Sequence, residues 1–309
     1  MHPPVNLTPP YKDRPYAKPV RFAFAALLIG NVALAFGPLF VRMATDTGGI
    51  GPIAAGFWRL TLAAPMLLLL TRATGQPIGR MSGTLWAMLA ISGVLFAGDL
   101  ASWHLGIMHT TLANSTLFGN STSLIFPLYG FIVARSWPTR PQGIALLLAA
   151  GGAALLLGRS YQLSAANVAG DLLCVLAGVM YAGYLIVLER ARSTLRPWPV
   201  LALSTVAGIL PMLLFATLMG EAILPRDWTA PIMLAIVSQV VGQGLMIYAL
   251  GNIRPLVIGL ALLVQPIVAA TIGYFVFGET LGALDIVGAV AIGIALVLVR
   301  ERRPRPAAG

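Results

Sequence analysis

Ten stretches of this chain are long and apolar enough to cross a bilayer, and they leave little else. They are 22–43, 50–71, 83–107, 110–134, 142–158, 167–188, 198–219, 230–250, 255–277 and 283–300. A hydrocarbon core of about 30 Å takes about 20 apolar residues in a helix. The fifth and tenth stretches are short, but charged residues bound both. Inside lipid the backbone polar groups must be paired within the segment, so each stretch is expected to be a helix. The connections are short, which leaves no room for an extramembrane domain. Only 10% of residues are charged, against about 25% in soluble domains. The expected fold class is an all-α membrane protein.

Lys and Arg placement sets the expected orientation, because cytoplasmic loops are enriched in both. With the N-terminus inside, 16 of the 20 fall on the cytoplasmic side. Arg42, Arg159 and Arg226 fall outside, and Arg59 lies within a span. Both termini are then cytoplasmic, and the expected location is a bacterial inner membrane. Residues 1–21, proline-rich and carrying Lys12, Arg14, Lys18 and Arg21, are read as a cytoplasmic tail. The competing reading, a secretory leader, fits poorly because the apolar run 22–43 exceeds a leader's usual 7–15 residues.

The net charge of +10 does not point to nucleic acid, since the basic residues are dispersed over short loops and two tails. The single cysteine, Cys174, excludes an intramolecular disulfide, and His2, His104 and His109 have no metal-binding spacing. No cofactor or metal is expected. No Walker A motif is present, so nothing in the sequence suggests ATP drive within the chain.

The halves resemble each other at a nearly constant offset. Leu28, Gly30 and Arg42 match Leu176, Gly178 and Arg190 at 148, and Pro65–Leu68 matches Pro211–Leu214 at 146. Gly130 matches Gly273 at 143, and Gly143 matches Gly288 at 145. Five spans per half means the second half enters from the opposite face. The expected architecture is ten transmembrane helices in two inverted five-helix repeats, 22–159 and 167–303, within one membrane domain. Secondary transporters are commonly built this way, with the substrate near the midplane.

The run Gly273-Tyr274-Phe275-Val276-Phe277-Gly278-Glu279-Thr280, followed by Gly288 and Gly293 in a short last span, resembles the drug/metabolite transporter superfamily in its EamA-type branch. The likeness covers residues 22–303; the first half departs from it, with Arg135-Ser136 in place of Gly-Glu. Trp103-His104-Leu105-Gly106 through Asn114-Ser115-Thr116 is similar to the subgroup containing the bacterial aromatic amino-acid exporter.

The stretch 110–130 is apolar enough to span, yet carries Asn114, Ser115, Thr116, Asn120, Ser121, Thr122 and Ser123. Amides facing lipid would go unpaired at several kcal/mol each, so this face should turn towards protein or a watery cavity. At 1.5 Å per residue, Arg59 lies about 13 Å and Asp99 about 12 Å from the outer ends of consecutive spans. Two readings stand. Either they form a buried ion pair, or Arg59 faces a substrate carboxylate while Asp99 orients it or carries a coupling proton.

Asn31, Asn120, Gln239, Gln243 and Gln265 fall at similar depth, about 13–18 Å, and Tyr181 and Tyr184 deeper. Amides at one level in several spans suggest a shared cavity, or hydrogen bonds between helices. Gln239 and Gln243, at i and i+4, share a helix face. Trp58, Trp103 and Tyr248 are candidate apolar walls, and Trp103 also reads as an interface anchor. His104 and His109 are expected to be solvated or packed, and Glu279 to begin the last helix. Pro127, Pro211 and Pro266 are expected to kink their helices.

The expected substrate-binding set is Arg59, Asp99, Trp103, Asn31, Asn114, Asn120, Tyr181, Gln239, Gln243 and Gln265. One cation, one acid, several amides and nearby aromatics suit a zwitterion with an aromatic or large apolar side chain. The expected function is a secondary transporter exporting small metabolites, amino acids first among them, with the lipid bilayer as surroundings and a proton as a plausible coupling ion. A multidrug or nucleotide-sugar carrier is the alternative, with a channel or lipid scramblase behind it; an intramembrane enzyme has no matching nucleophile–base pair or metal cluster.

Overall fold

The computed structural model describes residues 22–76, 78–160 and 165–279, with isolated positions 283, 286, 287, 290, 291, 294, 295 and 298 beyond them. Among the described residues every regular element is helical. The first span is α1 (Ala23–Ala35) and α2 (Gly37–Asp46), followed by α3 (Pro52–Ala73) and α4 (Gly83–Ile107). Next come α5 (Leu112–Gly119), α6 (Thr122–Ala134), α7 (Arg140–Ser160), α8 (Ala165–Ala191) and α9 (Pro197–Leu218). The eighth span joins α10 (Thr229–Met233), a π-helical segment (Leu234–Gln243) and α11 (Gly244–Leu250); α12 (Pro255–Leu262) and α13 (Val264–Phe277) make the ninth.

Among the described residues, seven runs are long and apolar enough to cross a membrane. The expected fourth span is divided into α5 and α6, and the fifth is the 21-residue helix α7. The expected tenth span, 283–300, lies outside the described residues apart from those isolated positions, as does the tail 1–21.

Three spans are broken, each for a local reason. A proline ring clashes with the carbonyl four residues back and offers no N–H. Pro38 acts on Leu34 in this way, and α1 ends at Ala35; Pro266 acts on Leu262, where α12 ends. The third break falls at Gly119-Asn120-Ser121, upstream of Pro127, which stays inside α6. There the Asn120 N–H is shared between the carbonyls of Thr116 and Leu117, and Ser121 bonds Phe118, so the ladder tightens and stops. The single helix expected over 110–134 is therefore two.

The breaks repeat with the halves. Asn120 and Leu263, the C-caps of α5 and α12, are 143 residues apart, and so are Arg135 and Gly278, the C-caps of α6 and α13. Both latter residues have left-handed backbones, with φ of 46° and 65°. The offset of 143 found in sequence at Gly130 and Gly273 thus reappears as backbone geometry. The two broken spans lie side by side in opposite directions, α6 along α12 and α5 along α13.

Around this pair, α4 packs on α8 and α9, α3 on α9 and the π segment, and α1 on the π segment, α11 and α13. Small residues let these backbones approach. A Cβ on Gly93 of α4 would lie 2.5 Å from the Ala207 Cβ of α9, and one on Gly106 would lie 2.4 Å from the Cys174 Sγ of α8. The bundle has two polar faces. One, called the upper face, holds the α2–α3 and α4–α5 connections and the end of α13; Arg42 and Arg226 lie there. The lower face carries Arg72, Arg80, Arg135, Arg140, Arg190, Arg192, Arg196 and Arg254.

The two left-handed caps give opposite expectations. Left-handed backbone costs a non-glycine residue about 1 kcal/mol, and a Cβ on Gly278 would meet nothing within 4 Å. Arg135→Gly should therefore raise, and Gly278→Ala lower, the thermal midpoint of the detergent-solubilised protein. A fall in both would show that the exposed Arg135 side chain outweighs its backbone strain.

Candidate functional site

A partly open cavity lies among the broken spans. Its walls come from α1 (Leu34), α3 (Arg59), α4 (Phe96, Asp99, Leu100, Trp103), α5 and its cap (Thr116, Gly119, Asn120), α8 (Tyr181), the π segment (Gln243) and α13 (Gln265). Residues 96, 99, 100 and 103 recur at i, i+3, i+4 and i+7, one continuous face of α4.

Arg59 is 1% exposed and is held from behind. Its Nε–H donates to Gln239 Oε1 at 2.9 Å, and Gln239 Nε2 donates in turn to Thr205 Oγ1 at 2.9 Å. The guanidinium carbon lies 5.8 Å from the centre of the Phe96 ring, within reach of a cation–π attraction. Its Nη1 has no hydrogen-bond partner. The π-helical turn places both Gln239 and Gln243 on the inward side, the kind of local widening often found at functional sites.

Asp99 is 8% exposed and lines the same cavity. It forms no ion pair with Arg59 within 4.0 Å, and no hydrogen bond of its carboxylate is made among the described residues. The buried ion pair, one of the two readings of the sequence, is thus not formed. Equal depth on neighbouring helices puts two charges at one level; helix rotation decides whether they touch.

The remaining polar groups form short supports. Gln265 Nε2 donates to Asn31 Oδ1 at 2.8 Å, and Asn31 Nδ2 donates to the Leu27 carbonyl at 2.8 Å. The Tyr181 hydroxyl donates to Gln243 Oε1 at 2.9 Å. Asn120 is 5% exposed, and its Nδ2 has no partner. Phe96, Tyr184 and Tyr181 stack in sequence, with ring centres 4.5 and 5.6 Å apart.

Trp103 is an inward residue and not a headgroup anchor. Its Nε1 donates to the Ser115 carbonyl at 3.0 Å. The indole fills space left by two glycines at helix breaks: a Cβ on Gly37 would lie 3.1 Å from it, and one on Gly119 3.0 Å.

Of the residues expected in the site, Arg59, Asp99, Trp103, Asn120, Tyr181, Gln243 and Gln265 line the cavity. Asn31 and Gln239 stand behind it, bonded to Gln265 and Arg59. Asn114 is buried in the first turn of α5 and is not part of the lining. Trp58 is not a wall either: its Nε1 donates to the Ile223 carbonyl at 2.6 Å and its ring meets Trp228 edge-on at the upper face. Tyr248 is also absent from the lining. His104 is packed, with Nδ1 2.8 Å from the Pro52 carbonyl, and His109 is exposed. Leu34, Phe96, Leu100 and Gly119 were not anticipated, and Thr116 only as part of the polar face of 110–130. The helical spacing around Asp99 carries the signal for Phe96 and Leu100, and that around Asn120 for Thr116 and Gly119.

Gln239→Leu should leave a buried charged donor unpaired, a loss of about 1–3 kcal/mol. The measurement is thermal unfolding in detergent, where a clear drop is expected. An unchanged midpoint would show that Gln239 does not hold Arg59.

Residues 168–300 match the EamA-like transporter family. An uncharacterized transporter of Archaeoglobus fulgidus is 22% identical, the match covering 90% of this chain and 98% of the relative. A second uncharacterized transporter of that archaeon is 25% identical, covering 92% and 97%. The uncharacterized transporter YwfM of Bacillus subtilis is 22% identical, covering 82% and 86%. A solved crystal structure, 18% identical, superposes with a TM-score of 0.68 over 89% of this chain and 97% of its own, so the fold is shared. With its apolar helical spans, the chain is a multi-pass membrane protein whose second half matches the EamA-like transporter family.

Proposed function

We propose that this protein is a transporter of the EamA type, in the drug/metabolite transporter superfamily, and a secondary carrier that exports amino acids with aromatic or large apolar side chains. The observation that carries the reading is the pair of charges sharing one cavity without neutralising each other: Arg59, with Nη1 unpartnered, and Asp99, outside ion-pair distance. An isolated charge within a span costs on the order of 3 kcal/mol or more. Two of opposite sign suit a zwitterion, whose carboxylate goes to Arg59 and whose ammonium goes to Asp99.

Leu34, Phe96, Leu100 and Trp103 then face the side chain. A nucleotide sugar would bring phosphate charge to a lining with one cation, and a multidrug cavity would be less polar than this one. Asp99 is also the group on which a coupling proton would ride when no ammonium is present. The Arg-rich lower face is assigned to the cytoplasm of a bacterial inner membrane by the bias in basic residues, with both termini on that side.

The test is efflux from liposomes preloaded with amino acids, peptides and nucleosides, read by mass spectrometry. Selective loss of aromatic and large apolar amino acids is expected. Arg59→Gln, in protein that still inserts and remains monodisperse, should cut that flux about 100-fold, the effect of one hydrogen bond to a charged group. Retention of every amino acid, or normal flux in Arg59→Gln, would contradict the reading.

A further inference from the structure

A charged cluster outside the cavity lies on the upper face. Arg42 of α2 donates from Nη1 to Glu279 Oε1 at 3.1 Å and from Nη2 to the Thr110 carbonyl at 2.7 Å. Its guanidinium carbon also sits 4.8 Å from the centre of the Phe277 ring. Glu279 follows the left-handed cap of α13, which turns its carboxylate back over α5. There its oxygens accept the Leu112 N–H at 3.2 and 3.3 Å, at the start of that helix. A carboxylate at a helix N-terminus is favourable for both the open N–H groups and the helix dipole. The sequence had suggested only that Glu279 begins the last helix; the structure uses it to tie α2, α5 and α13 together.

The same three elements continue into spans that line the cavity, through Leu34, Thr116 and Gln265. Between the ion pair and those residues lies an apolar plug of Leu112, Ala269 and Ile272, with Phe36, Leu39 and Val268 packed on it. A polar tie and an apolar cluster thus join the same three spans.

The lower face carries the repeat-related positions without the chemistry. Offsets of 143 and 148 bring Glu279 to Ser136, Leu112 to Pro255 and Arg42 to Arg190. Ser136 is uncharged and Pro255 has no N–H to give. Arg190 reaches the Tyr129 hydroxyl at 3.4 Å.

We propose that Arg42, Glu279 and the N-terminus of α5 form a latch on one face only, which sets the resting state of the carrier. The cavity rests closed towards the latch face and open to the opposite face, and the latch breaks when access alternates. This rests on the carrier reading but not on any particular substrate.

The experiment places a reporter thiol in the cavity, Thr116→Cys, and applies a membrane-impermeant maleimide to each side of oriented vesicles in turn. Native Cys174, buried in this structure, reports unfolding, and Asp227→Cys, at an exposed position on the latch face, identifies the side. Adding Glu279→Gln or Arg42→Gln should speed labelling of the reporter from the latch side about tenfold, as expected when a charged hydrogen bond is lost, and slow it from the other. Cys174 should stay unlabelled. Unchanged labelling from the latch side, or a rise from both sides together, would overturn the latch. Efflux is measured on the unsubstituted protein, and retention of every amino acid there with this labelling shift intact would overturn the substrate reading and leave the latch standing.

Discussion

The structure depends on how one guanidinium is kept inside a membrane protein. Arg59 sits in the middle of α3, almost fully buried, and such a charge is tolerated only where protein replaces water around it. Gln239 accepts from its Nε, Thr205 holds Gln239, and the face of Phe96 lies nearby. These contacts orient the guanidinium and leave Nη1 buried without a partner. Because Gln239 belongs to a π-helical turn, the local helix geometry and the orientation of Arg59 are one feature.

Space for the cavity comes from broken helices. Proline accounts for the ends of α1 and α12, and a Gly-Asn-Ser sequence for the end of α5. Where α1 and α5 stop, Gly37 and Gly119 leave room for the Trp103 indole. Breaks at depth are permitted because the freed backbone faces protein or a cavity and not lipid. That the breaks and caps of α5–α6 recur 143 residues later in α12–α13 makes these two spans variations on one unit. Their differences, such as Ser136 against Glu279, are then informative about asymmetry of function.

The spans were legible because apolar run length is a direct measure of bilayer thickness, and the repeat because the same breaks recur in order. The depth of polar residues was legible too, which brought Arg59, Asp99, Asn120 and Gln243 together. Depth carries no information about rotation. It therefore suggested an Arg59–Asp99 pair that does not form, and it placed Asn31 and Gln239 with the cavity residues they in fact support. Asn114 shares a polar stretch with Asn120 but lies a turn and a half away along the chain, and so leaves the lining. Trp103 resembled an anchor because the two glycines that admit it are distant in sequence or hidden in a helix break. Pro38 was passed over inside a long apolar run, although its steric effect on Leu34 is local.

The central claim is that Arg59 and Asp99 are left apart for the two ends of one zwitterion. Equilibrium binding to the purified protein tests it most directly, using an aromatic amino acid, its carboxamide and its deaminated acid. The account expects the amino acid to bind and each analogue, lacking one charge, to bind about 100-fold more weakly. Equal affinity for either analogue would contradict it, since one of the two charges would then have no part in recognition.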